Sequence, residues 1–417
     1  MIRRPPRSTL SSSSAASDVY KRQAIIDICR ENSRISKKVI DDFLIYYAAS
    51  LNNLEKQMSR EFAAFKHASG EIGEEWVKRL KAQYLAHRIF REEGLIRKLL
   101  NHAELKRLTG EEMKFLREQS EQPWRFSFSV IVEEPEEDFF LMEDVFSEER
   151  FLLYSPGVTD TAKERPVRLW FNLIAYNGAC WQSYGPIGAF NSFDADDIFF
   201  FATELDPALE DEEDVNLHIW KDPVPYMMLL SGSALPVTIH RDDELVSVLA
   251  EYDLESINSK AFDKNFTKEY SGEVYRFMLK GWEEHPHFST VYYDESKKII
   301  LLSAFTDRGF ERLVEALREF GHDFPDEPSL RVHPTMLVTA EKILGKEPEL
   351  NEYEKLFRKK PDKESEAMLE KLNKFMSMVI PEINAGRKPD IDALAAKAGL
   401  DIKSARDFWN QIREKFE

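Results

Sequence analysis

The sequence predicts a mixed α+β protein of several domains, with helical segments at both ends and a β-rich middle. Apolar side chains recur at three- and four-residue steps over residues 24–120, and the period changes to two at Pro123. A helical pattern returns over 349–417. At 417 residues and 43% hydrophobic composition, the chain is long and apolar enough for two to four globular domains.

The first 23 residues differ in composition from the rest of the chain. They read MIRRPPRSTLSSSSAASDVYKRQ and are basic and Ser-rich, which is typical of a transit peptide, and they have no apolar core for a secretory signal. Residues 5–23 also resemble a translated sequencing-adapter read-through. This resemblance implies that 1–23 are a disordered artefact and that the true N-terminus, upstream of Ala24, is missing.

Residues 24–120 are predicted to form a helical domain. An amphipathic stripe runs through the first helix, and Trp76 to Phe90 repeats the pattern in a second one. The stripe consists of Ile40, Phe43, Leu44, Tyr47, Leu51, Leu54, Met58, Phe62 and Phe65. Thr109 and Glu112 form a capping box that opens a third helix. The stripe is expected to be a helix-hairpin core, and a self-associating or partner-binding seam is the alternative.

Residues 121–222 are predicted to form a small antiparallel β barrel or sandwich. Trp124 to Val132 alternates with polar residues until the acid run at 133–138 ends the strand, and further strands are expected at 139–154, 167–174 and 179–184. Turns are predicted at 155–157 and 176–178, and the acidic segment 203–214 is predicted to be an exposed loop.

Residues 223–348 are predicted to form an α+β domain. Strands are expected at 227–230, 235–239, 274–282, 289–293 and 299–305, with a helix at 242–251. A second helix, capped by Thr306 or Asp307, is expected to stop at Gly321. Residues 349–417 are predicted to be helical, with breaks at Pro361, Pro381 and Pro389.

Residues 390–416 resemble a helix-turn-helix. Asp390 and Asp401 can cap its two helices, and Gly399 can form the turn between them. In a DNA-binding version, the second helix would offer a set of contact candidates to the major groove. These candidates are Lys403, Ser404, Arg406, Asn410 and Arg413.

Charge argues against nucleic acid as the partner. The chain has 57 Lys and Arg against 75 Asp and Glu, a formal net charge of −18. Residues 121–385 carry 27 basic and 53 acidic side chains, whereas 386–417 carry seven and six. Because phosphate binding requires clustered basic side chains, protein docking or plain structural packing is favoured over DNA binding for the C-terminal unit.

Familiar enzyme motifs are missing from the sequence. None of the 16 glycines is spaced G-x-G, which excludes the usual dinucleotide and kinase glycine loops. The two cysteines, Cys29 and Cys180, cannot make a disulfide scaffold or an all-cysteine metal site. Cys180 lies in a predicted strand and is expected to be a small buried side chain rather than a nucleophile.

Two short segments contain residue types that bind metals. His285-Pro286-His287 could place two imidazoles together, with Glu283 or Glu284 as an oxygen ligand, but no third ligand follows at a characteristic spacing, so a solvated loop is favoured. Asp194, Asp196 and Asp197 could hold a hard cation such as Ca²⁺. They lack the glycine and the terminal Glu of an EF-hand loop, so an acid cluster at a helix N-terminus is favoured.

Residues 123–156 and 300–321 resemble segments of bacterial proteins of unknown function, some of which carry a SecA-type zinc motif that is absent here. The resemblance implies no activity. The sequence therefore favours an acidic, cytoplasmic, non-catalytic multidomain protein that acts through an unknown protein partner, with no cofactor and no membrane. A nucleic-acid-binding regulator is the alternative, and an unrecognised metal-dependent or hydrolytic enzyme is the second alternative.

Overall fold

In a computed structural model the structure is described for residues 19–51, 53–322, 324–357, 363–384 and 388–412. The chain divides into two compact units, Met1–Leu350 and Asn351–Glu417. The fold is mixed α+β, with helices at both ends and a closed barrel and sheets between them, which confirms the predicted fold class. Residues 1–18 of the predicted artefact lie outside the described part, and residues 19–23 are helical.

The N-terminal region is helical as predicted. Its α-helices are α1 (Val19–Ser36), α2 (Ile45–Ala49), α3 (Leu54–Ala64), α4 (Lys66–Ile72), α5 (Glu74–Phe90), α6 (Ile96–Leu99) and α7 (Gly110–Glu121), with a π-helical segment at Lys37–Leu44 and a 3₁₀ turn at Ala103–Arg107. Ile40, Leu44 and Phe62 of the amphipathic stripe are buried in the same hydrophobic core as Phe126 of the first strand. The predicted capping box of Thr109 and Glu112 opens α7.

Five strands follow and close into a barrel. They are β1 (Arg125–Glu136), β2 (Phe139–Asp144), β3 (Arg150–Tyr154), β4 (Leu169–Tyr176) and β5 (Trp181–Phe190), in the order β1-β2-β3-β5-β4. All neighbours are antiparallel except β3 and β5, which pair in parallel at Leu153 and Trp181. The acid run does not end β1 at residue 133, since the strand continues to Glu136.

Four helices accompany the barrel, and parts of them fall where the sequence suggested a turn, a loop or a strand. They are α8 (Pro156–Glu164), α9 (Ala195–Leu205), α10 (Glu212–Lys221) and α11 (Val224–Met228), the last running into a 3₁₀ turn at Leu229–Gly232. The exposed loop predicted at 203–214 is therefore wrong at both ends, since 203–205 belong to α9 and 212–214 to α10. The acids act as helix caps, because the Asp211 side chain accepts a hydrogen bond of 2.9 Å from the Asp214 amide at the start of α10.

The following region forms a six-stranded antiparallel sheet. A short hairpin, β6 (Ile239–His240) and β7 (Asp243–Glu244), precedes β8 (Ser247–Asp253), β9 (Phe266–Ser271), β10 (Val274–Leu279), β11 (Thr290–Asp294), β12 (Ile299–Ala304) and β13 (Leu330–Val332). The sheet order is β13-β8-β12-β11-β10-β9. The helix predicted at 242–251 is wrong, because alternate residues Val246, Val248 and Ala250 enter one core in extended backbone.

Helix α12 (Asp307–Arg318) packs on this sheet, and α13 (Pro334–Leu344) follows β13. The predicted start of α12 is confirmed, since the Thr306 side chain accepts a 3.0 Å hydrogen bond from the Gly309 amide. The buried face of α12 is formed by Phe310, Leu313 and Leu317, which join the core of the sheet.

The C-terminal unit contains α14 (Glu354–Phe357), α15 (Lys363–Asn384), α16 (Ile391–Ala398) and α17 (Ile402–Ile412). The break predicted at Pro381 is wrong: α15 continues through this residue to Asn384. Pro361 lies outside the described residues. The unit has its own core, which includes Phe375, Val379 and Ala395. None of the helices in the described part of the chain is long and apolar enough to cross a membrane.

Candidate functional site

A group of charged side chains, two of them buried, lies where α9, β7 and β13 meet the start of β4. We call it the charged cluster. It comprises three acids, one histidine and two arginines: Asp194, Asp197, Glu244, His333, Arg168 and Arg331. Asp197 is fully buried and His333 is 2% exposed. Such groups are stable in a protein interior only when their charges and hydrogen bonds are matched.

The two aspartates form the N-terminal cap of α9. The Asp194 side chain accepts hydrogen bonds from the amides of Asp196 and Asp197, at 3.0 and 3.3 Å. In return, Asp197 Oδ2 accepts from the Asp194 amide at 2.9 Å, which completes a capping box. The acid cluster at residues 194–197 is thus a helix N-terminus, as the sequence favoured.

His333 caps α13 and faces a carboxylate on each side. Its backbone amide donates to Asp197 Oδ1 at 2.8 Å, and its ring Nδ1 lies 2.7 Å from Asp197 Oδ2. Its Nε2 lies 2.9 Å from Glu244 Oε1. At this distance Nε2 and Oε1 form an ion pair, but they are not aligned for a hydrogen bond.

Each arginine contacts an acid of the cluster. Arg168 binds both oxygens of Glu244, at 2.6 and 2.8 Å, and so connects the start of β4 to β7. Arg331 lies 2.5 Å from Asp194 and makes two further bonds, of 3.0 and 3.1 Å, to Asp307 at the start of α12. Such two-point contacts fix the orientation of both partners as well as their charge.

The electrostatics favour a protonated His333. Burial alone would lower the pKa of His333, but Asp197 and Asp194 together outweigh it and raise that pKa above its usual value. Burial raises the pKa of Asp197 to about 6, against the lowering effect of the His333 hydrogen bond. With His333 charged, the cluster has three positive and three negative groups, plus Asp307 at its edge.

A metal ion is a poor fit to this cluster, although its geometry suggests one. Among the described residues, only Asp194, Asp197 and His333 form a group of three potential metal ligands. The ligand atoms of the three all lie within 4.8 Å of one another. However, all four carboxylate oxygens of the two aspartates already accept hydrogen bonds from amides, from His333 or from Arg331. A cation would have to displace these donors and would face the Arg331 guanidinium.

A cleft of about 220 Å³ borders the cluster, and we call it the acidic cleft. Its lining includes six acidic residues and one arginine: Glu143, Asp144, Glu148, Asp194, Asp196, Glu212 and Arg168. Val130, Val145, Leu169 and Ala195 complete the lining. Asp194 and Arg168 belong to both the cleft and the cluster, so the ion pairs fix one wall of the cleft. The chemistry of this surface suits a cationic group.

Some of the cleft acids also shape the barrel. Buried Asp144 accepts hydrogen bonds from the Ser127 hydroxyl, at 2.7 Å, and from the amide and hydroxyl of Ser147. Glu143 pairs with Arg150 at 2.7 Å. Glu148, by contrast, is exposed at the tip of the β2–β3 connection.

The two histidines suggested as a metal fragment have separate environments. The His285 ring packs edge-on against His240, with centroids 4.4 Å apart. His287 contacts Trp282, and its Nδ1 lies 2.7 Å from the Thr306 hydroxyl. In the described part of the chain they do not join a third ligand within 4.8 Å, so a metal site at His285 and His287 stays a prediction.

The suggested contact residues of the C-terminal unit lie on or beside α17. Lys403 and Asn410 are exposed, but the Ser404 hydroxyl donates to Asp401 and Arg406 is paired with Asp392 of α16. Arg413 lies outside the described residues. The predicted caps and turn are present: Asp390 caps α16 at 3.1 Å, Gly399 has φ +73°, and Asp401 caps α17 at 2.9 Å.

Sequence reasoning did not find the cluster, although it singled out Asp194 and Asp197. His333 lies 136 positions from Asp197, and Glu244 fell within a helix predicted in error. The one local signal was His333-Pro334, a histidine directly before a helix-opening proline. No protein-family model, curated protein or solved structure matches this chain.

Proposed function

We propose that this is a non-catalytic protein that acts through protein contacts, and that its acidic cleft binds a Lys- or Arg-containing segment of a protein partner. The observation that carries the proposal is that six acidic residues and one arginine line a single cleft. The strong acidic excess of residues 121–385 supports it, because a negative field attracts basic partners and raises their association rate.

The size of the cleft favours a side chain as its ligand. Small-molecule and cofactor sites usually enclose roughly 300–1,000 Å³ and are mostly apolar. A volume of about 220 Å³ lined largely by acids suits the end of one basic side chain, with neighbouring basic residues contacting the rim.

The neighbouring His–Asp pair supports a stabilising role over a catalytic one. A general base needs one ring nitrogen that can reach a substrate proton. In His333 one nitrogen contacts Asp197, the other lies 2.9 Å from Glu244, and the ring is 2% exposed. We therefore assign the cluster to holding the cleft wall in place.

A peptide-binding experiment tests the proposal. The probe is a fluorescein-labelled peptide of alternating Lys and Ser, with a Glu–Ser peptide as the negative control, read by fluorescence anisotropy with the full chain. Changing Glu148 and Glu212 together to Gln should weaken binding about three- to tenfold, since an exposed ion pair contributes roughly 0.2–1 kcal/mol.

The matched control changes two exposed acids that do not line the cleft, Glu55→Gln and Glu92→Gln. It removes the same charge from the molecule and should leave the affinity within twofold of the unmodified protein. Equal weakening by the two double variants would mean that net charge alone attracts the peptide, and the cleft proposal would then fail.

A nucleic-acid-binding role for the C-terminal unit is the second candidate. It is favoured by the exposed Lys403 and Asn410 on the second helix of a helix-turn-helix arrangement, and disfavoured by the pairing of Arg406 with Asp392. In a salt-dependent gel-shift assay with duplex DNA, Lys403→Glu should weaken binding, whereas Lys397→Glu on α16 should not. Equal effects of the two changes would count against recognition by α17.

A further inference from the structure

The two cysteines of the chain lie against each other, although 151 positions separate them. Cys29 of α1 and Cys180, which directly precedes β5, have their Sγ atoms 3.4 Å apart, and both side chains are buried. Because the sequence contains only these two cysteines, the contact brings together every thiol of the protein.

Polar groups surround the thiol pair within an otherwise apolar environment. The Asn177 side-chain amide lies 3.3 Å from Cys29 Sγ and 3.6 Å from Cys180 Sγ, so its N–H can donate to either sulfur. Gln182 donates to the Cys29 carbonyl at 3.1 Å and accepts from Asn177 and Asn32 at 2.8 Å. These bonds fix α1 against the β4–β5 turn and hold both sulfurs in one place.

We propose that Cys29 and Cys180 are an oxidation site, at which hydrogen peroxide converts the two thiols into an intramolecular disulfide that links α1 to the barrel. The site acts apart from the acidic cleft and does not depend on the proposed function.

The reaction has two steps that balance with one peroxide. The Cys29 thiolate attacks one peroxide oxygen: an S–O bond forms, the O–O bond breaks, and hydroxide leaves, which gives a sulfenic acid. The Cys180 sulfur then attacks Cys29 Sγ, the S–S bond forms, and the sulfenic oxygen leaves as water. Overall, two thiols are oxidised, one peroxide is reduced, and two waters are released.

The surroundings distinguish the two sulfurs. The hydrogen bond from Cys180, helped by Asn177 and opposed by burial, lowers the pKa of the Cys29 thiol. The same contact with Cys29, together with burial, raises the pKa of Cys180. The Asn177 amide also lies nearer to Cys29 Sγ, at 3.3 Å, than to Cys180 Sγ, at 3.6 Å, so we assign Cys29 as the sulfur that reacts with peroxide and Cys180 as the one that resolves the sulfenic acid. Since both are buried, a rapid local opening of α1 admits peroxide, and attack by the Cys29 thiolate is the slow step.

Intact mass spectrometry of the full chain tests the proposal. Native protein is treated with hydrogen peroxide, denatured, and alkylated with N-ethylmaleimide. Untreated protein should take two maleimides. Treated protein should take none and weigh about 2 Da less, with one cross-linked peptide pair between the segments around Cys29 and Cys180. Retention of both alkylated thiols after treatment, or disulfides only between chains, would overturn the proposal.

Three variants separate the roles of the residues. Cys180→Ser should leave Cys29 to over-oxidise, with a gain of about 32 Da for the sulfinic acid, whereas Cys29→Ser should leave Cys180 a free thiol. Asn177→Asp keeps the oxygen that accepts from the Ala179 and Cys180 amides but removes the donor to sulfur. It should slow disulfide formation about tenfold. An unchanged rate would contradict the assigned role of Asn177, and it provides a test even if a Cys variant fails to fold.

Discussion

His333 illustrates how a buried charge is accommodated in this protein. The ring is 2% exposed, and its two nitrogens face Asp197 and Glu244 at 2.7 and 2.9 Å. Asp194 faces it at 3.9 Å, and Arg331 and Arg168 contact the acids rather than the imidazole. A neutral ring would leave these carboxylates short of one positive charge, so folding favours the imidazolium.

This charge predicts a specific dependence of stability on pH. The pKa of His333 is raised in the folded protein above its ordinary 6.5. The folded state thus holds the proton more tightly than the unfolded chain. The stabilisation is complete below about pH 6.5 and is lost as the pH rises through the raised pKa. Burial raises the pKa of Asp197 from 3.8 to about 6, so the contribution of this carboxyl to stability falls as the pH rises to about 6 and is constant above it.

Replacing His333 by Asn should remove the alkaline part of this dependence. The Asn amide can still donate to Asp197 in place of Nδ1, but it carries no titrating charge. In urea unfolding between pH 6.5 and 9, the decrease in the free energy of unfolding should be smaller in the variant than in the wild type. Since one unit of pKa shift corresponds to about 1.4 kcal/mol, the difference is measurable.

The control for this prediction is His67→Asn, at an exposed histidine of α4. Its profile should follow that of the wild type across the whole pH range. Parallel profiles for the wild type and His333→Asn would show that His333 does not bind a proton in the folded state, contrary to the arrangement described.

At the scale of elements, the residues that cap helices were easier to predict from sequence than whether a segment is a helix or a strand. Thr109 and Asp390 were identified as caps and Thr306 as one of two candidates, because a cap depends on one side chain and the two or three amides after it. Helix or strand type over 223–253 was wrong in several places. There the apolar runs are short, and a short run suits either structure until tertiary packing selects one.

The candidate site depended even more on long-range contacts. The capping box of Asp194 and Asp197 is local and was anticipated as a helix N-terminus. The contacts of His333 with Asp197 and Glu244 are not local and were not anticipated, because no sequence period links positions so far apart. The thiol contact has the same origin: each cysteine was visible, but only folding brings α1 to the β4–β5 turn.

The cap of α12 gives a prediction at this scale. The Thr306 hydroxyl accepts from the Gly309 amide at 3.0 Å and also contacts His287 Nδ1 at 2.7 Å, and the residue is buried. Thr306→Ala should lower the free energy of unfolding by about 1–2 kcal/mol, because it leaves one helix amide and one imidazole without their partner. Equilibrium urea unfolding measures the loss.

Thr306→Ser is the matched control for the cap. It keeps the hydroxyl and removes one methyl group, so it should recover most of the stability. A serine variant as unstable as the alanine variant would indicate that packing of the methyl group matters here and that the hydrogen bonds contribute little.

At the scale of the whole molecule, the C-terminal unit has one core of its own, whereas the unit Met1–Leu350 contains several. Helices α1–α7 and strands of the barrel bury their side chains in one continuous core, so the predicted helical segment 24–120 shares its core with the β-rich segment that follows. The C-terminal unit differs: the residues of its core all lie between 372 and 409. Elements that share a core tend to unfold together. A segment whose core is its own can unfold with a separate free energy.

A single substitution tests whether the C-terminal unit is stabilised by its own core. Phe375 of α15 is fully buried among Val379, Ala395 and Ala405. Phe375→Ala should destabilise the C-terminal unit by about 3–5 kcal/mol, because it leaves a cavity in a small core. In hydrogen–deuterium exchange, amides of 363–412 should lose protection while those of β8 to β12 keep theirs. The exposed neighbour Lys374→Ala should change neither region. Loss of protection in both regions with Phe375→Ala would show that the two units unfold as one, and that the stability of the C-terminal helices does not depend on their own core alone.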